Sequence, residues 1–499
     1  MSSADIGTIR HEKVADVSLL PAWLWLGIGV YALLLINGNI LLGDSDTYWH
    51  IAVGRWILDH DAFPHTDIYS FTKNGDPWIS SSWLAQVVYA TAYDWAGWAG
   101  PIVVAAAAIA TAFALLGFIL GHRIPTRYAV LIPLAALLLS GSHLLARPHV
   151  LVFPVMVAWT SGLLRASEQG KSPSYWLLPL LVLWANLHGG FVFGLALVAP
   201  FALDALWNAD ASQRKSLAIR WFVFGLAALV ACCVTPYGWG SILASRKILN
   251  LGELLHLIYE WMPANFSTFG PFEGSILAAI AGALYFGVRL TPPRILLVLG
   301  LLHMGLSHVR NVEIFALLAP LVVAQPLSAQ FRLEPAQFVR KVFPVGSAAV
   351  VAVILAASTW AFAANHPFTP PANQAPAAAV EVLKAHNAKR IMNDLPFAGY
   401  LISQGIPVFI DGRAELYGEP FEMAYYRAMQ LRDVGLFLDL LKTYDIDAVV
   451  LTPETPAVTL LDHIGGWQRV YSDQNAVVHV RTSPSSRPAV WAGDGAGKR

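Results

Sequence analysis

Residues 22–50 read AWLWLGIGVYALLLINGNILLGDSDTYWH. The stretch 22–42 carries no charge and has the length of one bilayer crossing, about 20 residues. It stops at Gly43, after which come Asp44, Ser45, Asp46, Thr47, Tyr48, Trp49 and His50. An acidic pair at the edge of a span, followed by aromatic and basic side chains, is expensive to place there unless it has a function. Asp44 and Asp46 are therefore the first candidates for chemistry.

Composition extends this reading to the whole chain. Hydrophobic residues make up 56% and charged residues 13%, against roughly 25% charged in an ordinary soluble domain. The mean hydropathy is +0.54, so the chain is an integral membrane protein. With 32 basic and 32 acidic residues it has no net basic surface, which argues against nucleic acid as a partner. Cys232 and Cys233 are adjacent in an apolar run, a spacing that suits neither a disulfide framework nor a zinc site, and they read as core thiols. The N-terminus lacks a short apolar segment followed by a small-residue cleavage site, so the first span is expected to be retained.

Runs that approach or reach crossing length occur at 22–42, 101–120, 128–145, 150–164, 175–187, 191–207, 217–234, 275–288, 295–306, 314–327 and 342–364. The expectation is a mainly α, polytopic helical protein of about 11 spans. Lys and Arg gather in alternate connections: Arg10 and Lys13; Arg123 and Arg127; Arg165 and Lys171; Arg214 and Lys215; Arg289 and Arg294; Arg332, Arg340 and Lys341. The bias of basic residues toward the cytoplasm puts these connections and the N-terminus inside. The opposite, outer connections hold Asp44 to Asp46, Arg147 to His149, Asn186 to Gly190, Thr235 to Gly238, Glu260 and Trp261, and His308 to Asn311. One face carries the unusual polar motifs.

The first outer loop, 43–100, is too long for a plain connection. Trp49, Ala52, Val53, Trp56 and Ile57 recur at helical spacing, predicting an interfacial helix with His50, Gly54, Arg55 and Asp59 elsewhere on its surface. A second helix is expected over 82–95, with turns at Pro64 and at Asn74 to Pro77 between the two. After the membrane domain, 1–364, the proline-rich stretch 365–376 reads as a stiff linker. Segments 377–386, 421–432 and 434–444 then read as helices and 390–393, 408–411, 448–451 and 476–480 as strands. They predict a small soluble α/β domain over 377–482, outside the membrane, ahead of a disordered tail, 483–499.

A carboxylate in a poorly hydrated cavity can accept a proton from an alcohol, and a pair can also hold a divalent cation, so Asp44 and Asp46 suit a general base or an Mg or Mn ligand set. Either could instead cap the helix that follows. His50, His65, His149, His188 and His308 share the outer face without the i, i+4 spacing of a metal motif, which favours hydrogen bonding in a polar cavity. The stretch from Asn186 through His188 to Gly190 lets a span end and a ligand approach the backbone, or simply makes a tight turn. Arg147 and Arg310 suit a lipid-linked phosphate, or a salt bridge with Glu260 or Glu313. Asp411, Arg413 and Glu415 follow an expected strand, where α/β folds expose working residues; surface salt bridging is the alternative.

The Asp44–Ala52 segment after the first span, the long outer loop with two helices, and many spans followed by an outer domain together resemble the GT-C superfamily of integral-membrane glycosyltransferases. The likeness is to bacterial members that use polyprenyl-phosphate sugars, such as aminoarabinose and galacturonosyl transferases. In that family the first outer loop holds a catalytic aspartate, commonly an Asp-Glu pair with Tyr four positions after the Asp. Asp44 and Tyr48 match that spacing; Ser45 stands where Glu is usual, which directs attention to Asp46 as well. The resemblance implies inverting transfer of a sugar from a polyprenyl-phosphate donor to a glycan, lipid or protein acceptor at the bacterial inner membrane. Asp44 would then be the base, Arg147 and Arg310 would face the leaving phosphate, and Tyr48, Trp49, His50, His149, Asn186, His188, Glu260, Asp411, Arg413 and Glu415 would line the substrate. Membrane lipids would surround the donor's tail. The rival reading, a transporter or flippase for a lipid-linked sugar, calls for ionisable groups at mid-membrane or for internal repeats. The sequence displays neither.

Overall fold

The computed structural model describes residues 20–249, 252–256, 258–336 and 345–482. Arg10, Lys13, Arg340, Lys341 and the tail from 483 onward lie outside the described residues. Each apolar run falls on one or two helices. Among the described residues six helices are long and apolar enough to cross a membrane: Ala99–Gly121, Pro148–Glu168, Phe191–Asn208, Ala211–Cys232, Val309–Phe331 and Gly346–Asn365. Ala22–Ile36, Tyr175–Leu187, Pro271–Phe286 and Pro292–Ser307 are shorter apolar helices, and the run at 128–145 lies on Thr126–Ser140. The chain is a membrane protein of mainly helical structure.

Small residues set how closely the spans approach. A Cβ on Gly27 would come within 2.8 Å of Ala114 Cβ, so Ala22–Ile36 and Ala99–Gly121 pack nearly backbone to backbone, the usual basis of helix contact in lipid. Large apolar side chains cover the outside instead. Val350, Val353, Ile354 and Trp360 on the helix Val345–Asn365 are all exposed, a surface that only lipid would cover favourably. Cys232 is buried and unpaired, as a core thiol should be, and Cys233 is half-buried and unpaired.

The C-terminal domain holds a four-stranded sheet of order β1-β2-β4-β3, with β1 Ile391–Asn393, β2 Ala448–Leu451, β3 Trp467–Ser472 and β4 Val477–Arg481. The β1–β2 pair is parallel and the other two are antiparallel. Four segments depart from the sequence reading. The helices Leu395–Ser403 and Pro456–His463 and strand β3 were not foreseen, and 408–411 is no sheet strand: Val408 makes isolated bridges to Ser70 and Ile391.

That segment explains how the domain is seated. Val408 N–H donates to the Tyr69 carbonyl at 3.0 Å, and Phe71 N–H returns a bond to the Val408 carbonyl at 3.1 Å. The first outer loop thus takes the hydrogen bonds a neighbouring strand would offer. The loop helix Asp46–His60 then adds its apolar face. Trp49, Val53 and Ile57, with Trp78, share one buried core with Ile391, Phe397, Leu401 and Val450, each aliphatic side chain contributing roughly 1.5–3 kcal/mol when fully buried. His50 and Gly54, placed on the surface by periodicity, are also buried, because the second loop helix, Trp83–Ala96, covers them. A Cβ on Gly54 would lie 2.1 Å from the Gln86 carbonyl oxygen. The linker is strapped down as well: Thr369 N–H donates to Asn39 at 3.1 Å and Gln374 Nε2 to the Gly43 carbonyl at 2.7 Å.

Candidate active site

The site begins where the first span ends. Asp44 Oδ1 accepts from the Asp46 N–H at 2.7 Å, so Asp44, not Asp46, satisfies a free donor at the start of Asp46–His60. Capping therefore explains one oxygen of one carboxylate. The neighbouring strap at Ala146 holds the loop down: its N–H donates to the Leu41 carbonyl at 2.6 Å, and its carbonyl accepts from Thr47 Oγ1 at 3.1 Å.

Directly after Ala146, Arg147 precedes Pro148–Glu168 and turns its guanidinium into the pair. Nη1 lies 2.9 Å from Asp44 Oδ2 and 2.5 Å from Glu260 Oε1, while Nη2 lies 2.8 Å from Asp46 Oδ2. The other Glu260 oxygen stands 3.8 Å from Arg310 Nη1, and Arg310 stacks on Trp261 at 4.5 Å. Four segments far apart in the chain thus bring together Asp44, Asp46, Arg147, Glu260 and Arg310. All five side chains keep some exposure, between 17 and 27%.

The electrostatics separate the members. Burial, with the Asp44 charge added, pushes the Asp46 carboxyl up to about 7, although Arg147 opposes the shift. The carboxylates around Arg147 hold its guanidinium well above the usual range despite burial, and Arg147 in turn keeps Glu260 below its ordinary value, again against burial. Asp46 is thus a group that takes up and releases a proton near neutrality beside permanent charges.

The histidines surround this cluster without bonding to it. His188 Nδ1 accepts from the Gly190 N–H at 3.0 Å, and its ring is 6.4 Å from that of His149. His149 Nε2 donates to the His143 carbonyl at 2.9 Å. His50 meets Gln86 at 3.1 Å and stacks on Trp49. Burial holds His50 and His188 well below the ordinary imidazole value, with Arg147 adding to the effect at His50 and Arg310 at His188, so both are neutral.

Other residues expected to line the substrate are committed to the framework. Tyr48 is buried between the rings of Trp98 and Tyr400. Asn186 accepts from Trp83 Nε1 at 2.8 Å and donates to the Val182 and Val234 carbonyls. Asp411 and Arg413 are sealed, at 0 and 1% exposure. Arg413 hydrogen-bonds Asp411 and makes an ion pair, at 2.7 Å, with Asp67 of the first loop; Tyr417 completes the clamp by donating to Asp411. These four groups form a buried clamp that ties the C-terminal segment to the first loop. Glu415, half-buried, accepts from Trp78 Nε1 at 3.1 Å.

Sequence reasoning missed Asp67, Gln86 and the glycines that let the domain close. A Cβ on Gly412 would lie 2.5 Å from Asp46 Oδ1, and one on Gly399 would lie 2.0 Å from the Ser45 carbonyl oxygen. The C-terminal segment brings its backbone against Asp46 and the Ser45 carbonyl. Glu313, weighed only as a salt-bridge partner, is buried with Oε2 unpartnered.

A divalent cation does not suit this donor set. Asp44 Oδ1 holds a backbone N–H, and Asp44 Oδ2, Asp46 Oδ2 and Glu260 Oε1 all hold Arg147. Among the described residues no group of three or more His, Cys, Asp or Glu is gathered to hold a metal.

No protein-family model matches the chain, and no curated protein matches it by sequence. Among solved structures, the fold is similar to the apo crystal structure of an oligosaccharyltransferase from Archaeoglobus fulgidus, with a TM-score of 0.52 and 11% identity. The match covers 85% of this chain and 69% of that one. The likeness is one of fold.

Proposed function

We propose that the protein is an inverting glycosyltransferase that moves a sugar from a polyprenyl-phosphate donor to an extracytoplasmic glycan, lipid or protein acceptor. The observation that carries this reading is Asp46, a carboxyl poised near neutrality, set beside Asp44 and two arginines in a fold shared with an oligosaccharyltransferase. In the reaction, Asp46 accepts the proton of an acceptor hydroxyl or amine as that atom bonds the anomeric carbon from the face opposite the phosphate. The bond from that carbon to the phosphate oxygen breaks, and the electron pair leaves with the phosphate.

Arg147 is spent on three carboxylates and acts by positioning them. Arg310, 3.8 Å from its nearest carboxylate oxygen and with its face on Trp261, is better disposed to meet the phosphate, where a fixed cation in a poorly hydrated cavity stabilises the charge of the leaving group. A bacterial inner membrane, with the N-terminus in the cytoplasm and the soluble domain outside, fits the alternation of basic connections. The transporter reading gains no support, because the most deeply buried ion pairs among the described residues of the bundle, Asp204 and Glu168 with Arg294, lie at helix ends.

The test is transfer from a polyprenyl-phosphate sugar by purified protein. Asp46→Asn should keep the fold and donor binding while turnover falls by the roughly 10²- to 10⁴-fold that a general base supplies, and Asp44→Asn should also slow turnover. Wild-type rates from folded, donor-binding Asp46→Asn would remove the assignment.

A further inference from the structure

A cavity of about 370 Å³ opens where three distant parts of the chain meet. The first loop contributes His65, Trp78 and Ile79, the helix Gly240–Leu249 contributes Leu243 and Lys247, and the soluble domain contributes Glu415. The cavity adjoins the acidic pair: Trp49, one helical turn beyond Asp46, meets Trp78 edge to face at 6.4 Å, and Glu415 is three residues past Gly412, which covers Asp46.

Its walls are fixed from behind. Arg413 stacks on Trp78 at 4.7 Å and is locked to Asp67, and the Trp78 N–H is held by Glu415. The remaining walls at Ile79 and Leu243 are apolar. Lys247 is exposed and has no hydrogen-bond or ion-pair partner among the described residues. Burial raises the Glu415 carboxyl above its usual range, which weakens its repulsion of a second anion. The volume lies near the lower end of ligand cavities, about 300–1,000 Å³, room for a ring or two.

We infer that this cavity is an acceptor subsite for an anionic sugar residue, its charge paired with Lys247, its hydroxyls on Glu415 and His65, and its C–H face against Ile79 and Leu243. The assignment to the acceptor rests on the glycosyl-transfer reading; the binding itself does not. A carboxylate on the sugar and a phosphate on the sugar offer Lys247 the same chemistry.

Saturation-transfer NMR on the full chain in nanodiscs separates the cases, using methyl glucuronide, methyl glucoside 6-phosphate and neutral methyl glucoside as probes. At least one anionic probe should bind about tenfold more tightly than the neutral one, the size of one charge-assisted contact. Which anion binds identifies the group. Lys247→Gln and Lys247→Glu, changes at an exposed side chain, should erase that preference, and Asp44→Asn should leave it intact. Equal binding of all three probes, binding of none, or a preference that survives both Lys247 variants would overturn the subsite. If the preference stands while Asp46→Asn transfers normally, the cavity survives and the glycosyl-transfer reading fails.

Discussion

The helix Pro148–Glu168 ends in two ion clusters of opposite character. Its 21 residues span about 30 Å. At its start, Arg147 faces Asp44, Asp46 and Glu260. At its end, Glu168 meets Arg123 at 2.7 Å and Arg294 at 3.4 Å, and Arg294 bonds Asp204 at 3.0 Å. The far cluster balances two carboxylates with two arginines and surrounds them with neutral donors: Thr291 and Ser167 bond Asp204, and Arg294 also reaches the Val322 carbonyl. Charge there is matched in number and buried, which locks four helices together. The near cluster sets Asp44, Asp46 and Glu260 against Arg147 and the more distant Arg310, and stays partly open. An unbalanced carboxylate in such a place gains a proton easily, and that is what a base needs.

The comparison breaks most visibly through turnover. Asp46→Asn should cost the large rate factor described above, whereas Asp204→Asn should leave the rate per folded molecule unchanged. Stability should answer in reverse. Asp204→Ala strands the buried Arg294 and should destabilise the protein by about 3–5 kcal/mol, read by thermal or denaturant unfolding in detergent; a neutral outcome would mean that the far cluster is no lock.

A smaller effect lies in the pH profile. With Asp46 titrating at about 7, the rate should rise with pH through that value as the carboxyl loses its proton. Arg147 pulls the Asp46 value down, so Arg147→Gln should carry the rising limb to higher pH, and a limb that stays in place would assign it to another group. The smallest expected effect is from chelation. Because Arg147 holds one oxygen each of Asp44, Asp46 and Glu260, EDTA should leave transfer by the wild type unchanged, and a loss restored by Mg or Mn would overturn that account.

How much of this was legible depended on range in the chain. The apolar runs became helices because each carries its own signal, and the pair at Asp44 and Asp46 was visible because it interrupts one of them. The convergence of Arg147 on Glu260 joins residues 113 apart, and single-sequence periodicity holds no information at that distance. His50 was misplaced for the same reason: a helix shows which face is apolar, not that a second helix will cover the polar one. The segment expected as a strand at 408–411 is buried and bridges both Ile391 of β1 and Ser70 of the first loop, and the loop partner is one no local pattern could announce. Arg413 was noticed for its charge and then proved to be fastened to Asp67, a residue that nothing nearby singles out. The short β3, with its mixed burial pattern, had too weak an alternation to read.

The backbone at Gly412 and Gly399 lies against the acidic pair, and this imposes an order in time. During synthesis Asp44 and Asp46 emerge with the first span, while the residues that cover them arrive several hundred positions later. At about 5–20 residues per second, tens of seconds separate the two events. Throughout that interval the carboxylates lack the low-dielectric cover that brings Asp46 near neutrality, so a nascent or prematurely ended chain carries the acidic motif without its tuning. Synthesis past Gly412 is thus a precondition for the covered state of Asp46.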